Sequence, residues 1–330
     1  MSTPDLAGEH ALCVIGLGLI GGSLLRGAQD AGWKVRGAAT SGADVTAARE
    51  AGFDVTSSVE DVLADAAGND ALVVLAVPLP AVVDVLAVVA RHAPRCRLTD
   101  VVSVKQPVAA AVARRTPQAR YVGGHPMAGR SASGWAAGSA TLFTGTPWVV
   151  GSDDGADLEV WAQVAQLALD CGAHVVPAGA QDHDAAVARV SHLPHVLAAV
   201  LASVGADGGP LAMALGAGSF TDGTRVAASQ PELIRAMCEG NRDALLEAVD
   251  DALGRLGAAR GSLASTGALE ATIRVGHRAR RTFDAARDGR PGDTVHVDLT
   301  TPAALEQLRE LGRQGARLVA LQGTRCHVQL

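Results

Sequence analysis

The chain has 330 residues, of which 48% are hydrophobic, 19% charged and only 3% aromatic, so it is neither a disordered nor a collagen-like polymer, and Ala, Val and Leu must fill its interior. That length exceeds one typical domain and predicts two, each burying its own core. A formal net charge of -6 gives no general attraction to phosphate backbones and argues against nucleic acid as a partner.

In chain order, the opening MSTPDLAGEH lacks a basic start followed by an apolar stretch, so no signal peptide is expected. From Ala11 to about Val150, short β-rich apolar runs alternate with Ala-rich segments of helical length, the pattern of a parallel sheet with crossover helices. Strands are expected at Leu12 to Ile15, Lys34 to Ala38, Ala71 to Val77, Arg97 to Val101, Arg120 to Gly124 and Trp148 to Gly151. A helix over Asp157 to Asp170 and a β-like run at Ala173 to Val176 extend this first domain to about residue 180. The stretch Ala71 to Ala90 is apolar enough to resemble a membrane span. Pro78, Pro80 and Asp84 instead divide it into a buried strand and a helix, and no span is expected.

Beyond Asp182 the character changes to long helical periods as far as about Arg287, punctuated by GADGGP (205–210) and GAGSF (216–220), which predicts an all-helical second domain over 181–289. Arg274, Arg278, Arg280, Arg281, Arg287 and Arg290 form a basic run that reads as a solvated helix face. Residues 290–330 contain a β-like run at Val295 to Leu299, a helix from Ala303 to Arg313 and a second β-like run at Leu318 to Leu321, and read as a small α/β appendage with too few elements for a complete regulatory domain of the ACT type. Cys13, Cys96, Cys171, Cys238 and Cys326 are odd in number, widely spaced and without a CxxC, so neither a disulfide framework nor a zinc ribbon is expected and a reducing cytoplasm fits.

Gly16-Leu17-Gly18-Leu19-Ile20-Gly21 follows an apolar strand and opens a helix, the setting in which GxGxxG signifies dinucleotide binding. The first Gly permits a tight turn, the second lets backbone approach a pyrophosphate, and the third lets helix and strand pack closely, with the helix N-terminus facing the phosphates. Sites that prefer NAD carry an acidic residue about 20 positions later, for the ribose 2′-OH. Here the second strand ends Gly37-Ala38-Ala39-Thr40-Ser41, with Ala39 near that place. Thr40 and Ser41 offer hydroxyls to a 2′-phosphate and Arg36 or Arg49 a counter-charge, so NAD+ or NADP+ is expected, with dual use or NADP preference.

Three further stretches are informative: Thr99-Asp100-Val101-Val102-Ser103-Val104-Lys105, then Gly123-Gly124-His125-Pro126-Met127-Ala128-Gly129, then His183-Asp184 followed by Ser191-His192-Leu193-Pro194-His195. With GLGLIGGS (16–23) and Thr224-Arg225-Val226-Ala227, their types and order resemble prephenate and arogenate dehydrogenases across about residues 11 to 290. The resemblance implies a Rossmann-type doubly wound parallel sheet over 1–180 followed by an all-helical dimerisation domain, and hence a homodimer. It also implies oxidative decarboxylation of prephenate to 4-hydroxyphenylpyruvate, or of arogenate to tyrosine, with hydride transfer to the nicotinamide.

By this resemblance His125 is the group that accepts the substrate's hydroxyl proton, a role that suits an imidazole. Ser103 matches a serine that hydrogen-bonds in the active site near the histidine and the nicotinamide, the less favoured alternative being an ordinary cap of a helix over Val104 to Arg114. Arg225 matches a substrate-binding arginine, the alternative being a surface salt bridge. Ser191 and His195 match pocket positions. At 100° per residue they share a helical stripe with Asp184, His192 lies some 80° away, and Asp184 and His192 contact substrate or support those that do. Pro194 is expected to kink this helix. Cofactor contacts fall to Gly16, Gly18, Leu19, Ile20, Gly21, Thr40, Ser41, Val77 and Ser103. A metal site from His183, Asp184, His192 and His195 is discounted, because neither the chemistry nor the family requires a metal.

Two departures from the family pattern leave prephenate against arogenate open. GGHPMAG continues Arg130-Ser131-Ala132-Ser133-Gly134 without the acidic residue some relatives carry, and Ser229-Gln230-Pro231-Glu232-Leu233-Ile234 lacks a Trp found in many. Two other functions stay in view. A hydroxyacid dehydrogenase-like enzyme relies on a lysine in its helical half, yet no lysine follows Lys105. A dinucleotide-sensing regulator without turnover would have no use for His125, Ser103 and Arg225 together.

Overall fold

The computed structural model describes residues 10–130, 132–288 and 292–330. The opening stretch 1–9, Ser131 and Arg290 lie outside the described residues. The chain divides into two units: one runs to Asp184 and takes in Ala228–Gly240 and Thr294–Leu330, the other comprises Ala185–Ala227 and Asn241–Asp293.

In the first unit β1 (Ala11–Ile15), β2 (Lys34–Ala38), β3 (Val55–Thr56), β4 (Leu72–Leu75), β5 (Arg97–Asp100) and β6 (Arg120–Val122) form one sheet in the order β3-β2-β1-β4-β5-β6, parallel throughout. Successive residues of its central strands enter opposite cores. Leu12, Val14, Leu72 and Val74 join one, and Cys13, Ile15, Val73 and Leu75 the other. Because both faces are covered, the strands read as unbroken apolar runs rather than alternating ones. The strand order reverses between β1 and β4, which opens a crevice beyond their carboxyl ends.

A second sheet contains β7 (Gly124–Pro126), β8 (Pro147–Gly151), β9 (His174–Ala178), β10 (Thr294–Asp298), β11 (Arg317–Gln322) and β12 (Arg325–Gln329), in the order β10-β12-β11-β9-β8-β7. The single strand expected over Arg120 to Gly124 is thus two. The chain leaves one sheet at Val122 and enters the other at Gly124, where a Cβ would lie 2.6 Å from the Asp100 carbonyl oxygen. Only glycine permits so close a backbone approach.

The C-terminal residues depart further from the sequence reading, which set 290–330 apart. β11 pairs antiparallel with β9 at Leu318 and Val175, and the helix Ala304–Arg313 packs so tightly that a Cβ on Gly312 would lie 1.8 Å from the Pro177 oxygen. Val297, Leu308, Leu318 and Val328 belong to the core that also holds Leu12 and Trp161. Strand pairing across so long a stretch of sequence leaves no local pattern, and β12 was not foreseen at all.

The second unit is helical and includes the helices Arg242–Ser265 and Glu270–Asp288. Arg274 pairs with Glu270 and Arg280 with Asp284 along one solvated face. Its own buried core is small, and Val200, Val204, Leu211, Leu215, Leu253, Leu256 and Ile273 stand exposed. Among the described residues the 28-residue helix Ala180–Asp207 is long and apolar enough to cross a membrane by length and composition, where none was expected. It nevertheless carries His183, Asp184 and His192, all buried and hydrogen-bonded within protein. Pro194 stands in the first turn of the α-helical stretch Leu193–Asp207. A π turn at Ala188–His192, closed by the Leu193 amide donating to the Ala188 oxygen, precedes it. The extra residue of the turn also breaks the 100° stepping that would align Asp184 with Ser191 and His195.

Candidate functional site

The glycine loop has the shape its sequence predicts. Gly16 has φ +102°, and a Cβ there would lie 2.4 Å from the Ala76 oxygen; one on Gly21 would lie 1.9 Å from the Gly16 oxygen. A Cβ on Gly18 would meet nothing within 4 Å. Two glycines therefore pack the turn against β4 while the middle one leaves open space above backbone N–H groups, a cradle that fits a pyrophosphate. Gly18 caps the helix Leu19–Asp30, which begins with Leu19 and Ile20, and Val77 lies beside Gly16 just past β4. Ser23 ties this helix down, its hydroxyl donating to the Leu19 oxygen and accepting from the Ser139 amide.

At the end of β2, Thr40 and Ser41 are exposed, and the Ser41 hydroxyl caps the helix Gly42–Glu50 by accepting from the Asp44 amide. Arg36 is drawn away, its guanidinium 3.4 Å from both Asp54 and Asp65. Arg49 donates through Nε to the Val55 carbonyl.

His125 sits half-buried on β7, opposite Val149 of β8. Its position is set from below by a buried group the sequence reading passed over. Lys105, 2% exposed, pairs through Nζ with Asp100 and donates to the Gly124 oxygen at 2.5 Å, and Tyr121 donates to the other Asp100 oxygen at 2.6 Å. Burial pulls the Lys105 ammonium below its ordinary range although Asp100 opposes this, and burial together with Asp100 pushes the Tyr121 phenol well above its own. A lysine, a carboxylate and a phenol thus pin the residue that precedes His125.

Nδ1 of His125 lies 2.8 Å from Nε2 of His183, and Nδ1 of His183 lies 2.8 Å from Asp184 Oδ1. Asp184 also accepts the backbone N–H of Lys105 at 2.8 Å and of Gln106 at 2.9 Å. The helix that Ser103 was a candidate to cap begins instead at Gln106, and Asp184 serves its first amides. Ser103 lies half-buried in the bend after β5, beyond the carboxyl edge of the sheet where ligands of this fold bind. Of this group the sequence had weighed His183 only as a metal ligand; its adjacency to Asp184 in a helix was the one signal available.

The second unit holds the remaining candidates. His192 is fully buried, its Nδ1 3.1 Å from Asn241 Nδ2. His195 is half-buried, and its pKa lies below 6.5 because burial and the nearby Arg225 charge outweigh a hydrogen bond with the Val226 backbone. Arg225 is exposed at the start of the 3-10 turn Arg225–Ala228 and forms no ion pair among the described residues. Ser191 is half-buried within the π turn.

Comparison with known proteins gives two family matches, "Prephenate dehydrogenase, nucleotide-binding domain" over residues 28–177 and "Prephenate dehydrogenase, dimerization domain" over 179–269. Cyclohexadienyl dehydrogenase of Zymomonas mobilis is 31% identical over 290 residues, 85% of this chain and 98% of that protein. A solved structure from Corynebacterium glutamicum assigned to the prephenate dehydrogenases is 45% identical with a TM-score of 0.88, covering 93% of this chain and 98% of that one. Arogenate dehydrogenase of Synechocystis is 27% identical with a TM-score of 0.69, covering 84% and 99%. The chain belongs to the prephenate dehydrogenase family and is an oxidoreductase that works with a nicotinamide dinucleotide.

Proposed function

We propose that the chain oxidatively decarboxylates prephenate, or its amino counterpart arogenate, in the formation of tyrosine, with His125 as the proton acceptor. The observation that carries this is the placing of His125 on β7, backed by a hydrogen-bonded neighbour, in the same unit as a glycine cradle with open space over Gly18. Gly16, Gly18, Leu19, Ile20, Gly21 and Val77 would hold the dinucleotide, which would supply the hydride acceptor. His125 takes the proton of the C4 hydroxyl as hydride leaves C4, the C1 carboxylate departs as CO₂ with its bonding electrons retained by the ring, and the proton returns to the phenolic oxygen. No net proton is consumed. Ser103, in the bend after β5, is the proposed hydrogen-bond partner of the reacting hydroxyl or the nicotinamide.

Arg225, with Ser191 and His195, binds the substrate's carboxylate and side chain, a guanidinium being suited to bidentate carboxylate binding. Asp184 and His192, both buried against protein groups, support the site rather than touch substrate. For the cofactor, Ser41 and the N-terminus of the helix Gly42–Glu50 are the proposed donors to a 2′-phosphate; Asp44 lies in the first turn of that helix, its Oδ1 accepting from the Trp135 amide. Arg36, held by two aspartates, is set aside as the counter-charge, so dual use of NAD+ and NADP+ is expected. All five cysteines are free, in keeping with a cytoplasmic site of action.

The test is reduction of NAD+ and NADP+ by the purified chain with prephenate and with arogenate. Turnover with at least one substrate is expected, and inactivity in all four combinations overturns the reading. His125→Asn is expected to lower kcat by roughly 10²- to 10⁴-fold, the usual worth of a positioned base. The exposed apolar residues of the helical unit and its match to a dimerization domain point to a homodimer. Light scattering is then expected to give twice the 33.4 kDa of one chain.

A further inference from the structure

We propose that His183 and Asp184 form a relay behind His125 that fixes which of its ring nitrogens carries the proton. The inference rests on the reading of His125 as the base, and its logic follows donors and acceptors inward from Asp184. That carboxyl receives two backbone N–H groups, from Lys105 and Gln106, at 2.8 and 2.9 Å, and an amide N–H can only donate. Burial acts to raise its pKa, but these bonds and that from His183 outweigh it and hold the carboxyl below the usual range, so it is an ionised acceptor.

The His183 nitrogen facing Asp184, Nδ1, must therefore donate. His183 is 3% exposed, and burial keeps its pKa below 6.5 against the pull of Asp184, so the ring is neutral and carries one proton, already placed on Nδ1. Its Nε2 bears the lone pair. At 2.8 Å that lone pair demands a hydrogen on Nδ1 of His125. The proton-accepting lone pair of His125 is consequently on Nε2, the nitrogen turned from His183. Each link is thus determined by the one before, and the chain starts at a carboxylate anchored to the backbone of a neighbouring helix.

This makes His183 and Asp184 positioning residues. They touch neither the reacting atoms nor the cofactor; they act by holding the base in the tautomer and orientation that receives a proton, as a buried carboxylate behind a catalytic imidazole does elsewhere. A role in bare stability would not depend on the acceptor at one atom. His183→Phe fills the space and removes the acceptor, whereas His183→Gln returns an amide oxygen near the place of Nε2.

The experiment pairs imidazole ¹⁵N spectra of the whole enzyme with steady-state kinetics. In the wild-type protein near neutral pH, the His125 resonance, identified by its loss in His125→Asn, is expected to show a protonated Nδ1 and a lone pair on Nε2. His183→Phe and Asp184→Asn are expected to lower kcat by about 10- to 100-fold with KM for substrate within about twofold of wild type, and His183→Gln to recover much of the loss. A proton on Nε2 of His125, a kcat within twofold of wild type in His183→Phe, or a His183→Gln as slow as His183→Phe would each overturn the relay. Failure of the underlying reading has a different signature: His125→Asn turns over normally, or the wild-type chain is inactive, and the tautomer spectrum is readable in either case.

Discussion

At the scale of single residues, buried polar groups pair with one another and bear on how stability changes with acid. Lys105, Asp100 and Tyr121 satisfy one another beneath β7, and His183 and Asp184 do so behind it. His183 has a folded-state pKa lowered by burial, so the unfolded chain binds a proton at that site more readily than the folded one. The stability it contributes is full above its ordinary value of 6.5 and is lost as pH falls from there toward the lowered pKa. His174 and His195 are lowered as well, also chiefly by burial, and act in the same direction. Urea midpoints measured between pH 7.5 and 5.5 are expected to fall, and His183→Gln to reduce that slope without abolishing it. A midpoint that does not change over this range would contradict the assignment.

At the scale of elements, close backbone approaches decide how sheets and helices meet. Gly123 and Gly124 carry the chain from one sheet to the other, and Gly312 lets the helix Ala304–Arg313 lie directly on β9. Neither role is announced by a turn motif, and Gly312 sits in the last turn of its helix, where alanine has the higher helix propensity. Propensity alone would therefore have Gly312→Ala stabilise the helix. Its Cβ would instead strike the Pro177 oxygen from 1.8 Å, and the overpacking is expected to destabilise the protein by about 1–3 kcal/mol, read as a lowered thermal midpoint. The π turn before Pro194 is a second such compromise. Proline was legible in the sequence as a break, but how the helix accommodates it depends on a turn that periodicity does not encode.

At the scale of the whole molecule, the C-terminal residues are part of the first unit's fabric. β10, β11 and β12 extend the sheet of β7 to β9, and Val297, Leu299, Leu308, Leu318 and Val328 are all less than 5% exposed in its core. Burying such a side chain contributes about 1.5–3 kcal/mol, so losing these five is comparable to a typical domain's whole stability of about 5–15 kcal/mol. A chain ending before Thr294 is expected to be insoluble or unfolded by circular dichroism; full activity of that truncation would show the segment to be dispensable.

The sequence by itself determined the dinucleotide-binding turn, the α/β alternation and the helical second half, because each is written in short motifs or in the periodicity of neighbouring residues. GxGxxG specifies its own backbone, and period and composition separate strand from helix. Only the tertiary structure decided that residues 294–330 complete a sheet begun at Gly124, that Lys105 holds the base of β7, and that His183 stands behind His125, 58 positions away. These are pairings between distant segments, and a hydrogen bond or strand register across such a separation depends on where the folded core carries each partner, which no local pattern of residues records.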